Sequence, residues 1–129
     1  MKPIKGIDAV RDMVVGNWIK PSDVFAARFF PFLEETAEFR FKLTLTLVEN
    51  FPQTHSHGLS LHCINPTITQ WPVSNQIIGL AIDYVEAPQE LGGGYWKVWD
   101  FEFAVIKIKC SDLYLTRETS EALNSMIEM

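Results

Sequence analysis

The stretch EFRFKLTLTLV, residues 38–48, carries the clearest structural signal in the sequence. Its odd positions from Phe39 to Leu47 are all apolar, whereas the even positions from 40 to 46 hold Arg40, Lys42 and two threonines. Successive side chains of a β-strand point to opposite faces, so this alternation is typical of a strand with one buried and one solvated face. We therefore expect a long strand here, within a larger sheet.

Further strands are predicted on both sides of this one. Alternation or apolar runs predict them at residues 59–63, 76–86, 95–103 and 113–115, and residues 24–32 form either a strand or an irregular segment that caps the core. The triple glycine at 92–94 predicts a hairpin connection. The apolar positions change from odd to even between Phe103 and Ile106, which predicts a bulge at residues 102–105.

Short helices are predicted at the two ends of the chain. Ile7, Val10, Met13 and Val14 recur at helical spacing and are followed by Gly16-Asn17 as a stop, and a second amphipathic pattern begins at residue 117. The expected class is α+β and β-rich, with a single, mainly antiparallel sheet, open or strongly curved, in one domain of residues 1–129. Whether the last helix docks on its own sheet or on a second copy is left open, as is a homodimer.

Composition narrows the classes of partner. Eleven Lys and Arg against sixteen Asp and Glu give a net charge of −5, which disfavours nucleic acid and anionic lipid as partners. Lys107 and Lys109 form the closest approach to a basic cluster. The opening residues lack the apolar stretch of a signal peptide, and Cys63 and Cys110 share no motif, so we expect a cytoplasmic protein with two reduced, buried thiols and no cofactor.

Catalytic and metal chemistry find little support in the pattern. His55 and His57 share a strand face, but Cys63 lies about 20 Å farther along a strand and His62 points to the opposite face, so we expect no metal site. Asp100 lies between two aromatics, and we expect it on the solvated face of its strand. Trp99, with Phe101 and Phe103, is expected in the core, although such a face also suits a binding surface.

The strand succession between residues 43 and 115 resembles a bacterial immunity-protein family of polymorphic toxin systems, known as immunity protein 50. In that family an N-x-I-x-x-L-x-I strand precedes a G-x-W/F-x-V strand, and an F-x-C-x-x-x-x-V/L strand follows. The matching positions here are Asn75, Ile77, Leu80, Ile82, Gly94, Trp96, Val98, Ile108, Cys110 and Leu115. The resemblance implies an interaction protein, not an enzyme, that binds and neutralises a toxin domain of its own cell.

Net charge and composition suggest a contact surface for such a partner. An acidic inhibitor is steered electrostatically towards a basic toxin domain. We expect exposed aromatic anchors at Trp71 or Tyr95. The surrounding rim of carboxylates consists of Glu34, Glu35, Asp83, Glu86 and Glu90. Three alternatives stay open: a small-ligand-binding barrel or half-barrel, an inhibitor of a host defence protein encoded by a phage or mobile element, and a small hydrolase or isomerase using Asp100 or the His55/His57 pair.

Overall fold

The computed structural model describes residues 2–21, 23–33, 39–49, 58–71, 80–100 and 106–127. Within these ranges the chain forms ten strands, two 3-10 helices and one α-helix. The strands are β1 (Val14–Val15), β2 (Trp18–Ile19), β3 (Asp23–Leu33), β4 (Phe39–Val48), β5 (Gly58–Ile64), β6 (Thr67–Gln70), β7 (Leu80–Val85), β8 (Tyr95–Asp100), β9 (Lys107–Cys110) and β10 (Asp112–Glu118). The 3-10 helices are Ile7–Met13 and Gln89–Leu91, and α1 is Ser120–Ile127.

A four-stranded antiparallel sheet is built around the alternating strand β4. Its order is β10-β5-β4-β3, so β4 lies between β3 and β5. The odd residues Leu43, Leu45 and Leu47 are buried on the inner face, which confirms the strand and its period. The even residues Thr44 and Thr46 point to the outer face, where polar side chains meet one another rather than the core.

A six-stranded antiparallel sheet in the order β1-β2-β7-β8-β9-β6 supplies the other half of the core. Its inner face consists of even residues in β7, β8 and β9, and Ile82, Val98 and Ile108 are fully buried there. These side chains join those of the four-stranded sheet in one continuous cluster that includes Trp96. Burial of the apolar inner faces of the two sheets against one another is what holds the two layers together.

Two long stretches of chain run through both sheets. β5 leads into β6 and β9 into β10, and the two stretches pair with each other on both sides of a bend. Ile64 lies opposite Asp112 in the four-stranded sheet, and Thr67 lies opposite Lys109 in the six-stranded sheet. The same register therefore continues through the bend, which is how strands turn a corner between packed sheets.

The bend has local causes in the backbone. Asn65 adopts a left-handed φ of 53°, and Pro66 follows it without an N–H to donate. Opposite them, the Ser111 N–H donates to the Ile64 carbonyl at 2.9 Å, which closes the corner. The α+β, β-rich class is confirmed, but the hydrogen bonding divides the expected single sheet into two at this bend.

The two terminal helices differ from the predicted ones in their bounds, and the first also differs in type. The first is a 3-10 helix, Ile7–Met13, in which Val10 departs from helical geometry; β1 follows, and Gly16-Asn17 forms the turn to β2. At the other end β10 extends to Glu118, so α1 begins later than predicted, at Ser120. None of the helices in the described ranges is long and apolar enough to cross a bilayer.

The N-terminal segment covers the outer edge of β10. Lys5 forms a parallel bridge with Tyr114, and the Leu115 N–H donates to the Lys5 carbonyl at 2.9 Å. The Lys5 ammonium also lies 2.8 Å from an Asp112 carboxylate oxygen. Burial opposes ionisation of this carboxyl, but hydrogen bonds from Lys5 and from the Leu113 N–H outweigh it and lower the pKa of Asp112.

The predicted bulge at residues 102–105 lies outside the described ranges, as do Phe101 and Phe103. Trp99 is half-buried on the outer face of β8, so its expected place in the core is wrong. The expectation for Asp100 is wrong in the opposite sense, because its side chain lies on the inner face and is only 2% exposed. Its carboxylate accepts the Ile106 N–H at 3.0 Å and thereby joins the end of β8 to the start of β9.

Candidate functional site

The outer face of the six-stranded sheet carries the most distinctive group of side chains in the described part of the chain. Directly paired residues share a face, so the register places odd residues of β7, β8 and β9 there together with Trp18 of β2. The residues on this outer face include Trp18, Ala81, Asp83, Tyr95, Lys97, Trp99, Lys107 and Lys109.

Two tryptophans flank a small residue on this face. Ala81 pairs with Trp18 on one side and with Trp99 on the other. Although it faces outward, Ala81 is only 1% exposed, whereas Trp18 is 51% exposed. Large aromatic surface that stays accessible to solvent is characteristic of binding surfaces, and we call Trp18 and Trp99 the tryptophan pair.

A clamp of two hydrogen bonds through Asp83 fixes the ring of Trp99. Its indole N–H donates to Asp83 Oδ2 at 2.6 Å, and Asn17 Nδ2 donates to Asp83 Oδ1 at 2.7 Å. Both carboxylate oxygens of Asp83 are therefore occupied by neighbours within the chain. Asp83, which the sequence suggested as part of an acidic contact rim, orients an aromatic side chain in this structure.

Three lysines lie beside the tryptophan pair. Lys97 and Lys109 are directly opposite each other on β8 and β9, and Lys107 lies opposite Trp99. The Lys97 ammonium lies 5.0 Å from the centre of the Trp99 ring, and the Lys109 ammonium lies 4.9 Å from that of Tyr95. Such cation–π contacts hold the lysine side chains close to the sheet surface.

The lysines surround an open cavity of about 540 Å³. We call it the lysine pocket, and its lining residues are Thr69, Gln70, Tyr95, Lys97, Lys107 and Lys109. Sequence reasoning recognised Lys107 and Lys109 as neighbours but missed Lys97, since only the pairing of β8 with β9 brings it to them. In the sequence, the signal for this grouping is that all three lysines occupy odd-numbered positions, which predicts a shared face of the sheet.

The remaining predicted contact residues are distributed around this surface. Trp71, 42% exposed, directly follows β6 at the edge of the same sheet. Glu86 and Glu90 are exposed in the connection between β7 and β8, away from the lysine pocket, and Glu86 lines a second cavity with Lys2. Glu34 and Glu35 lie outside the described residues. The structure thus brings Asp83 and Tyr95 together with lysines instead of with further carboxylates.

A second polar cluster lies on the outer face of the four-stranded sheet. His62 Nδ1 lies 3.0 Å from Thr44 Oγ1, and its Nε2 lies 2.8 Å from Thr116 Oγ1. The ring stacks on Tyr114 with the centroids 4.3 Å apart. Burial of the ring, and next the charge of Lys42, lower the pKa of His62 to about 4, so the imidazole is neutral at pH 7.

This cluster is best explained as a polar lining of the sheet. A neutral imidazole between two hydroxyls satisfies every hydrogen-bonding atom it has, and a pKa of about 4 makes it a weak base. Thr46 and Ser60 form a similar pair at 2.7 Å, both nearly fully buried. Polar side chains of neighbouring strands here compensate one another's desolvation.

The metal hypothesis gains no candidate from the described ranges, where no group of three or more His, Cys, Asp and Glu is placed to hold an ion. His55 and His57 lie outside those ranges. Cys63 and Cys110 are free and buried, as expected for reduced thiols. A hydrogen bond with Cys110, together with burial, raises the pKa of the Cys63 thiol and keeps it protonated.

Comparison of the chain with protein-family models, with curated proteins and with solved structures finds no match.

Proposed function

We propose that this protein is a protein-interaction module whose binding surface is the outer face of the six-stranded sheet. The observation that carries the proposal is the tryptophan pair, because Trp18 exposes half of its surface and a second tryptophan lies across Ala81 on the same face of the sheet. Tryptophan is enriched among the few residues that carry most of the binding energy at protein interfaces.

The clamp on Trp99 supports the same proposal. A side chain that is already fixed by Asp83 and Asn17 loses little conformational entropy when a partner covers it. The charged hydrogen bond to Asp83 also satisfies the indole N–H without help from the partner. Trp99 is thus prepared for burial before binding takes place.

A narrower proposal names the partner as a toxin domain that the protein neutralises in the cytosol. Its support is the resemblance of residues 43–115 to an immunity-protein family, together with a net charge of −5 that accelerates encounter with a basic domain. An inhibitor of a host defence protein would use the same kind of surface. A ligand-binding barrel is less favoured, because large side chains such as Trp96 and Leu61 occupy the space between the sheets.

Co-expression tests both levels of the proposal. The domain encoded by the neighbouring gene, as the candidate toxin, is expressed with the wild-type protein, with Trp18→Ala and with Trp99→Ala, and growth and the affinity for that domain are measured. We expect protection by the wild type and at least about thirty-fold weaker binding for each variant, as for a hot-spot residue. Phe29→Ala is the matched control, since Phe29 is 56% exposed but belongs to the other sheet.

The outcomes separate the two levels. Unchanged binding by both tryptophan variants, with native stability in urea unfolding, would contradict the assignment of the binding surface. A neighbouring gene product that is harmless, or from which the wild type gives no protection, would contradict the immunity proposal.

A further inference from the structure

We infer that the lysine pocket receives an acidic segment of the protein partner, with two or more carboxylate side chains placed among Lys97, Lys107 and Lys109. This inference rests on the proposed function, since it names the chemistry of the partner that meets the outer face. It adds to the tryptophan pair a charged contact that fixes the orientation of the partner on the sheet.

The lysines lack carboxylate partners within the described part of the chain. None of the salt bridges there involves Lys97, Lys107 or Lys109, although acidic residues outnumber basic ones. Asp83 lies directly opposite Lys97, but its two oxygens accept hydrogen bonds from Trp99 and Asn17. The carboxylate nearest in register is thus engaged with other donors.

The arrangement of the lysines costs stability in the free protein. Like charges that lie directly opposite on neighbouring strands repel each other, and Lys97 and Lys109 form such a pair. An anion placed between them would relieve this repulsion. A cost of this kind at a surface position is easier to understand if the site serves binding than if it serves the fold.

The pocket is also prepared for an anion. Contacts with the rings of Trp99 and Tyr95 hold the ammonium groups of Lys97 and Lys109 in place. The side-chain amide of Gln70, which lines the cavity, offers a further donor, while the hydroxyl of Thr69 already donates to the Lys107 carbonyl at 3.2 Å. Carboxylates accept such hydrogen bonds from several donors at once.

Carboxylates fit this pocket better than the phosphates of a nucleic acid. A single-stranded nucleic acid binds by stacking its bases on free aromatic faces, but ammonium groups cover the rings of Trp99 and Tyr95. The pocket adjoins the tryptophan pair, because Trp99 pairs with Lys107 and contacts the Lys97 ammonium, and this favours a protein surface as the occupant of both.

Titration of the full chain with probe anions tests the inference. Hexaglutamate, hexaglutamine, pyrophosphate and oligothymidylate are added separately at low salt, and amide shifts of β8 and β9 are followed by NMR. We expect hexaglutamate to shift these strands and hexaglutamine to leave them unchanged. The Lys97→Gln/Lys109→Gln variant should bind hexaglutamate about ten-fold more weakly or worse, since it removes two charged donors.

The matched control is Lys2→Gln/Lys20→Gln, which changes the net charge equally but leaves the pocket intact. Equally weakened hexaglutamate binding in both double variants would show that net charge alone is responsible, and would overturn the inference. Tighter binding of pyrophosphate or oligothymidylate than of hexaglutamate at the pocket would also overturn it, and would make the site a phosphate site. The titration uses no toxin, so its result is independent of the co-expression assay, which tests the proposed function through Trp18 and Trp99.

Discussion

Replacing Gly6 by alanine should destabilise the protein far more than the same change at Gly16. Both glycines have a positive φ, 81° at Gly6 and 63° at Gly16, so alanine is strained at both positions. A Cβ at Gly6 would fall well inside contact distance of the Leu115 carbonyl oxygen, whereas one at Gly16 would meet no described atom within 4 Å. The pair therefore separates backbone strain from the contact between the N-terminal segment and β10.

The magnitude follows from what each variant loses. The left-handed conformation costs an alanine about 1–2 kcal/mol at either position, and the change in the unfolded chain is common to both. At Gly6 the segment must also move away from β10, which breaks the hydrogen bond from the Leu115 N–H to the Lys5 carbonyl and loosens the packing of buried Ile4. These losses add about 2 kcal/mol or more.

Urea unfolding of the wild type and both variants, followed by circular dichroism, measures the difference. We expect the free energy of unfolding to fall by about 3–4 kcal/mol for Gly6→Ala and by about 1–2 kcal/mol for Gly16→Ala. Since a domain of this size has about 5–15 kcal/mol in total, the first change is a large fraction. Equal losses in the two variants would refute the close approach of the N-terminal segment to β10.

Two further predictions concern groups inside the sheets. His62 has a pKa of about 4 in the folded protein against 6.5 in the unfolded chain, so its contribution to the free energy of unfolding is fully present above about pH 6.5 and is lost as the pH drops to 4. For this half-exposed ring we expect a loss of about 1–2 kcal/mol. A His62→Gln variant with the same pH dependence of unfolding would contradict this prediction. Cys63 and Cys110 should react with a thiol reagent only in urea, and labelling of either at the rate of a free cysteine in the native protein would contradict their burial.

The strands were predictable where burial alone decides the pattern. In β4 Leu43, Leu45 and Leu47 all enter the core, as the alternation predicts, although Phe41 of the same parity is 48% exposed. The division into two sheets was not predictable in this way, because it depends on one left-handed residue, Asn65, and on which distant strands pair across the bend. Local sequence indicates that a strand ends there, but not that pairing resumes in the same register.

The candidate site shows the same limit. Asp83 and Tyr95 were identified from residue type, and both lie on the outer face of the six-stranded sheet. Their charge environment was not foreseen, since Lys97 joins Lys107 and Lys109 only through the register of β8 with β9. Asp100 was misplaced for a different reason: a carboxylate that accepts a backbone N–H, here that of Ile106, can be buried, and alternation with aromatics does not reveal such a bond.

The bend that carries two strands from one sheet to the other also governs the order in which the protein can be completed. β3, β4 and β5 follow one another along the chain, but the four-stranded sheet needs β10, and Gly58 pairs with Glu118 across a long stretch of sequence. During synthesis, β5 must therefore wait with an unpaired edge until the last strand emerges. Because the six-stranded sheet depends on the same two stretches, neither sheet can be completed independently of the other, and we expect the protein to fold and unfold as one cooperative unit.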